Sequence, residues 1–142
     1  IQGSPTMLTA ITNVYQPNAT GVVGDKHPFS KYFYEMQIGD QIVTEKRIIT
    51  SEDIDRFAQF SGDQFYAHLN DTDFQGPMLD QQFAHGYFIM SAAAGLFVQS
   101  FVKNPVLLNY GIDELRFTKP VYSESAIFIR FTCKEKMEQE VK

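Results

Sequence analysis

The amino-acid sequence predicts an α+β domain in which an antiparallel sheet wraps a long central helix. Three observations lead to this fold class: an amphipathic helix begins near residue 50, a long apolar helix follows, and alternating strands come last. The 142 residues are 44% hydrophobic and 14% aromatic, enough for one packed core. Helices followed by a run of strands are typical of a sheet packed on helices.

The first 33 residues are predicted to form a linker or extended arm. Gly, Pro, Ser, Thr and Asn are frequent there, and no hydrophobic period is sustained. The domain is predicted to span 34–142, with a turn at Gln37–Asp40 and a strand over Gln41–Thr50, where β-branched residues are frequent. The chain stops in a charged run, so we expect the domain to be truncated at its C-terminus. An unpaired sheet edge would then make the fragment alone unstable.

The first helix is predicted to begin after a cap at Thr50 or Ser51 and to break at Gly62. Acidic residues occupy its first turn, and one face carries Ile54, Phe57, Ala58 and Ser61. A polar, aromatic loop over 63–73 follows, with room for one helical turn.

The second helix is predicted from about Gln81 to Val102, ended by Asn104-Pro105. Its length approaches that of a membrane span, but His85, polar residues near its end and a run of tiny residues favour a helix buried in protein. The remainder is predicted as strands over Leu107–Phe117 and Ala126–Met137, joined by a turn at Lys119-Pro120.

Composition excludes several classes of function. The net charge is -5, with acidic and basic residues interspersed, which argues against nucleic-acid binding. The single cysteine, Cys133, forms no internal disulfide and indicates a reducing, cytoplasmic location. Phosphate-loop, dinucleotide and paired-cysteine zinc motifs are absent. We expect no metal site, because His27, His68 and His85 are scattered along the chain.

The most informative motif runs from Ser61 to His68 and places Asp63 five residues before His68. Gly62 lets the chain turn sharply, so the carboxylate and the imidazole can converge. Such a pair suits water activation, with one group accepting a proton and the other donating one. The alternative is that Asp63 caps the next turn and His68 makes a surface hydrogen bond.

A second motif, Ala84-His85-Gly86-Tyr87, opens the apolar helix. A glycine at a helix start presents an unpaired backbone N–H, as an oxyanion hole for a thioester enolate requires. The alternative is that Gly86 only permits close packing. His85 by itself is better interpreted as a buried, hydrogen-bonded histidine than as a catalyst.

Further residues are candidates for contact with a ligand. Arg116 and Lys119 follow a predicted strand and are candidate partners of phosphate groups, although solvated charges on a sheet edge are the commoner case. Ser91 lacks the context of a nucleophile but could donate a hydrogen bond within the site. Aromatic side chains are expected to shape the pocket, namely Phe65, Tyr66, Tyr87 and Phe88.

These motifs resemble those of MaoC-like hydratases, which include (R)-specific enoyl-CoA hydratases and have the hotdog fold. Ser61–His68, His85–Phe88 with Ser91–Val98, and Asn109–Gly111 with Leu115–Phe117 are similar to one branch in particular. That branch comprises the C-terminal hydratase domains of the bifunctional oxepin-CoA hydrolase/aldehyde dehydrogenases of phenylacetate degradation. The arm over 3–10 is similar to the tail that joins the two domains.

The resemblance implies that water opens the seven-membered ring of oxepin-CoA, with Asp63 and His68 as the catalytic pair and the Gly86 amide holding the thioester oxygen. His85 would join the substrate-binding residues. No cofactor would bind this domain, because NADP would belong to the dehydrogenase domain of the same polypeptide. Hotdog domains pair, so we expect at least a homodimer. A plain enoyl-CoA hydratase, a hotdog thioesterase and a non-catalytic acyl-CoA-binding or dimerisation module remain alternatives.

Overall fold

The computed structural model describes residues 32–69, 81–98 and 110–138. Predictions for the arm before residue 32 and for Asn104-Pro105 lie outside these ranges. Residue contacts divide the described residues into two compact units, one formed by 45–69, 81–96 and 117–128 and the other by 32–44, 97–98, 110–116 and 129–138. In chain order the elements are β1 (Gln41–Val43), β2 (Arg47–Ile49), α1 (Ser51–Ser61), a 3₁₀ turn (Tyr66–His68), α2 (Gly86–Val98), β3 (Ser125–Ile127) and β4 (Arg130–Thr132).

The strands form two antiparallel ladders, and each ladder lies within one unit. Strand β2 pairs with β3, with Ile48 opposite Ala126, and β1 pairs with β4, with Ile42 opposite Phe131. Both long predicted strands are therefore interrupted. At the interruption, Thr44 donates its N–H to the Ile129 carbonyl (2.9 Å) and accepts the Ile129 N–H on its hydroxyl (3.0 Å).

Helix α1 is bounded as its sequence predicts. The Thr50 hydroxyl accepts the Asp53 N–H (3.1 Å), and the Asp53 carboxylate accepts the Thr50 N–H (3.3 Å), which together form a capping box. The helix ends at Gly62, whose φ of 77° lies in the left-handed region that favours glycine. Ile54 and Ala58 from its apolar face are buried.

Helix α2 begins five residues later than predicted because the preceding backbone is already bonded. The Ala84 N–H donates to the Val121 carbonyl (2.8 Å), and the Gln82 carbonyl accepts the Ser123 N–H (2.9 Å). The predicted end of the helix lies outside the described residues. The prediction of a buried helix is confirmed by its core side chains, Phe88, Ile89, Ala92, Ala93 and Phe97. Among the described residues, no helix has the length and hydropathy to cross a membrane.

The predicted strand over Leu107–Phe117 is wrong for its described part. Residues 110–117 adopt no regular structure, and the side chains of Tyr110 and Ile112 are 86% and 58% exposed. An alternating apolar pattern marks a strand only where one face is buried against a partner, and here both of these side chains face solvent. The predicted α+β class is confirmed by the two helices and the antiparallel ladders.

Candidate active site

Asp63, His68 and His85 form a cluster just beyond the C-terminus of α1 and just before α2. The left-handed turn at Gly62 and the 3₁₀ turn at Tyr66–His68 fold the chain back on itself. As a result, one polar side-chain atom from each of the three residues lies within 4.8 Å of the others. The convergence of the Asp63 and His68 side chains predicted from Gly62 is present.

His68 is held through one ring nitrogen. Its Nδ1 lies 2.8 Å from the Phe83 carbonyl oxygen, and because a carbonyl only accepts, Nδ1 carries the proton. The other nitrogen, Nε2, is the proton acceptor of the neutral ring. Burial lowers the pKa of His68 below 6.5 and the neighbouring His85 adds to this, while the Phe83 hydrogen bond and the Asp63 charge oppose it. His68 is therefore a neutral base at neutral pH.

His85 is 1% exposed and lies against both members of the predicted pair. Its Nε2–H donates to the Asp63 backbone carbonyl (2.8 Å), and its ring centroid lies 3.8 Å from that of His68. Phe57 packs against the ring at 5.0 Å. The interpretation of His85 as a buried, hydrogen-bonded histidine is confirmed. The expectation that the histidines are scattered is wrong for this pair, because these two residues, 17 apart in sequence, are in contact.

The same three residues are the only group of metal-ligand type found among the described residues. Each histidine already donates one N–H to a backbone carbonyl, as metal-bound histidines also do. The two rings are tilted by 31° with their centroids 3.8 Å apart, and the absence of a metal stays a prediction.

Asp63 lies on the solvent side of the cluster. Its carboxylate accepts the Phe65 N–H at 3.4 Å, and its own N–H donates to the Ser61 hydroxyl at 3.2 Å. The Asp63 carboxylate therefore accepts a local bond two residues ahead, but it does not cap the 3₁₀ turn at Tyr66–His68, which has no side-chain cap. That bond is long, and the exposed side chain keeps the carboxylate in reach of a ligand.

Gly86 is the first residue of α2, so its N–H has no acceptor within the helix. The Phe117 ring packs closely against it: a Cβ built on Gly86 would lie 2.5–2.7 Å from three ring carbons of Phe117. The Phe117 ring also meets Tyr87 edge to face, with centroids 6.1 Å apart. Close packing at Gly86 is confirmed, and the role of its amide toward a thioester stays a prediction.

The remaining predicted site residues fall into two groups. Phe65 and Tyr66 lie beside the cluster, with the Phe65 ring 4.3 Å from Tyr66 and 5.8 Å from His68. The others make ordinary surface arrangements. The Ser91 hydroxyl donates to the Tyr87 carbonyl (2.9 Å), Arg116 pairs with Glu114 at the surface (2.6 Å), and Lys119 is exposed.

Sequence reasoning missed Gln82, which is 4% exposed. Its amide nitrogen donates to the Asp55 carboxylate (2.8 Å) and to the His68 carbonyl (2.9 Å), and its amide oxygen accepts the Ser51 hydroxyl (2.6 Å). Gln82 thereby ties the start of α1 to the 3₁₀ turn that carries His68. No sequence pattern distinguishes a buried, hydrogen-bonded glutamine of this kind from a glutamine at the surface.

Comparison with known proteins identifies the family of this chain. A family model described as MaoC like domain matches residues 34–142. Protein MaoC of Klebsiella aerogenes is 46% identical over 136 residues, which are 96% of this chain and 40% of that protein. The structure of a monoamine oxidase regulatory protein from Archaeoglobus fulgius superposes with a TM-score of 0.64 at 27% identity, covering 74% of this chain and 71% of that chain.

A weaker likeness links the chain to R-hydratase PhaJ1 from Pseudomonas aeruginosa, with 18% identity, a TM-score of 0.48 and coverage of 78% and 90%. The predicted hotdog fold is confirmed by the family match and the Archaeoglobus structure. This chain therefore belongs to the MaoC-like domain family.

Proposed function

We propose that this domain adds water to an unsaturated CoA thioester, with Asp63 and His68 as the proton-transferring pair. The observation that carries the proposal is their convergence, with side-chain polar atoms within 4.8 Å of each other, a span that one water molecule can bridge. The lowered pKa of His68 keeps a proton acceptor available at neutral pH, as general acid–base catalysis requires.

In the reaction, one member of the pair removes a proton from water as the water oxygen bonds to the carbon β to the thioester carbonyl. The electrons of the double bond move toward the thioester oxygen, and a proton is then delivered to the α-carbon. The Gly86 N–H at the start of α2 is the proposed donor to that oxygen, where the helix dipole favours negative charge.

The proposed substrate is oxepin-CoA, supported by the similarity of Ser61–His68 and His85–Phe88 to the ring-opening branch and by the flat rings of Phe65 and Tyr66 beside His68. Water adds to the enol ether carbon, and the ring opens to an aldehyde. An aldehyde dehydrogenase domain of the same polypeptide, using NADP, would oxidise this product. The chain spans 40% of the length of the Klebsiella relative, so this further domain and an assembly of at least two copies are part of the proposal.

The test follows hydration of crotonyl-CoA and opening of oxepin-CoA by the full polypeptide. Asp63→Asn and His68→Gln should each lower kcat by at least ~100-fold, the usual scale for a general acid or base. Asp113→Asn is the matched control, because Asp113 is an exposed aspartate outside the cluster, and it should leave the rate unchanged.

The other outcomes separate the alternatives. Activity on crotonyl-CoA alone would identify an enoyl-CoA hydratase. Release of free CoA without ring opening would identify a thioesterase. Undiminished activity in both cluster variants would remove the Asp63/His68 mechanism, and a fully inactive wild type would favour an acyl-CoA-binding or dimerisation module.

A further inference from the structure

His85 makes one contact with each member of the proposed catalytic pair, and both contacts are present without a bound substrate. Its Nε2–H donates to the backbone carbonyl of Asp63 (2.8 Å), and its ring lies on that of His68 with centroids 3.8 Å apart. Because it is 1% exposed and packed against Phe57 at 5.0 Å, its ring has little freedom to turn. A rigid side chain of this kind can fix two other groups relative to one another.

The hydrogen bond to Asp63 stabilises a segment of backbone that has few other bonds to the protein. Asp63 follows the left-handed residue Gly62, and its side chain is exposed. Its other bonds to the protein are local and long, at 3.2 Å to Ser61 and 3.4 Å to Phe65. The 2.8 Å bond from His85, 22 residues away in sequence, therefore anchors the Asp63 backbone to the segment that precedes α2.

The contact with His68 supplies the second half of the arrangement. His68 is bound to the Phe83 carbonyl through Nδ1, which fixes one edge of its ring, and His85 covers one face. Phe83 meets the His68 ring edge to face at 4.9 Å. With an edge and a face both held, the direction of His68 Nε2 is set before a substrate arrives, and such preorganisation is what proton transfer at a fixed distance requires.

We propose that His85 is a positioning residue that holds Asp63 and His68 in fixed relative positions for proton transfer, without itself touching substrate. The proposal rests on the proposed function for its kinetic consequences. It differs from the prediction that His85 binds substrate, because the side chain is buried and its protonated nitrogen is directed at Asp63 within the protein.

Two substitutions separate the contributions of the donor and the ring. His85→Gln keeps an N–H near the position of Nε2 and loses the ring, whereas His85→Phe keeps a ring and loses the donor. A control for general loss of packing is Ile54→Val, because Ile54 is fully buried in α1 and makes no hydrogen bond through its side chain. Each variant is made in the full polypeptide and checked for a cooperative unfolding transition.

For His85→Phe we expect kcat to fall by roughly 10- to 100-fold, the scale on which small misplacement of catalytic groups costs rate, with KM within about twofold of wild type. His85→Gln should lose less of kcat than His85→Phe, because it keeps the donor to Asp63 and loses only the ring contact with His68, and Ile54→Val should keep wild-type kcat. A raised KM at unchanged kcat in His85→Phe would instead make His85 a substrate contact and overturn the proposal. Equal loss of kcat in the Gln and Phe variants would overturn the role of the donor.

Hydrogen exchange measured by mass spectrometry gives a second result that does not depend on activity. Peptides covering 62–69 should exchange faster in His85→Phe than in wild type, while His85→Gln and Ile54→Val should leave them protected. If exchange of this segment is unchanged in His85→Phe, His85 does not anchor Asp63 and the proposal fails, whatever reaction the protein catalyses. If exchange changes as expected but wild type lacks hydratase activity, the proposed function fails while the anchoring role of His85 holds.

Discussion

The close approach of Phe117 to Gly86 predicts a specific energetic coupling between these two residues. A Cβ at position 86 would lie 2.5, 2.6 and 2.7 Å from Cε2, Cζ and Cδ2 of Phe117. Carbon atoms in van der Waals contact are about 3.5–4.0 Å apart, so Gly86→Ala creates an overlap of about 1 Å with three atoms at once. The ring must swing away, and in doing so it gives up its contact with Tyr87.

The expected cost follows from the size of this overlap. Overpacking in a closed core destabilises a protein by ~1–3 kcal/mol, but the Phe117 side chain is 50% exposed and its ring can swing toward solvent, so we expect the lower end of this range. The gain from replacing glycine by alanine, at most ~1 kcal/mol in a helix interior, is smaller at the first residue of α2 and offsets part of this cost. Phe117→Ala removes all three overlapping atoms, so the double variant should be more stable than the sum of the single changes by about 1 kcal/mol.

The assay is urea denaturation of wild type, the two single variants and the double variant, read as a double-mutant cycle. Gly95→Ala is the matched control, because a Cβ there meets no atom within 4 Å although Gly95 lies in the same helix. Combined with Phe117→Ala it should be additive within ~0.5 kcal/mol. Additivity of Gly86→Ala with Phe117→Ala would refute the reasoning, because the ring would then not be what requires glycine at position 86.

Three further predictions concern stability. The pKa of His68 is lowered from 6.5 in the folded protein, so the unfolded chain takes up a proton at a higher pH than the folded one. Stability is therefore lost as the pH falls below 6.5. Between about pH 8 and about pH 5, the urea midpoint of His68→Gln should fall less than that of wild type. Gly62→Ala should destabilise by ~1–2 kcal/mol, since φ is 77° and alanine is strained there, whereas Gly95→Ala measured in parallel should be neutral or stabilising. Thr50→Ala should cost ~0.5–2 kcal/mol by removing the cap of α1, and Thr50→Ser should recover most of the loss in the same denaturation assay.

Features that depend on neighbours in sequence could be predicted without the structure. The capping box at Thr50, the break at Gly62 and the convergence of Asp63 with His68 each arise from residues at most five positions apart. The start of α2 differs from the prediction because residues 82–84 form backbone hydrogen bonds with Val121 and Ser123. These partners lie far away in sequence, so the residue types at 82–84 do not reveal them. The strand predicted through Tyr110 and Ile112 is wrong for a related reason. Hydrophobic periodicity shows which side chains would share one face of a strand, but it does not show whether another element packs on that face.

The least predictable part of the site is the orientation of its histidines, because backbone carbonyls provide it. His68 is oriented by the carbonyl of Phe83, and His85 donates to the carbonyl of Asp63. Any residue type at position 83 carries the same acceptor, so the identity of residue 83 does not reveal its role in orienting His68. It also follows that replacing Asp63 by Asn removes the charge and retains the carbonyl bonded to His85. Asp63→Asn therefore tests the chemistry of the carboxylate with the anchor in place, whereas His85→Phe tests the anchor with the carboxylate in place.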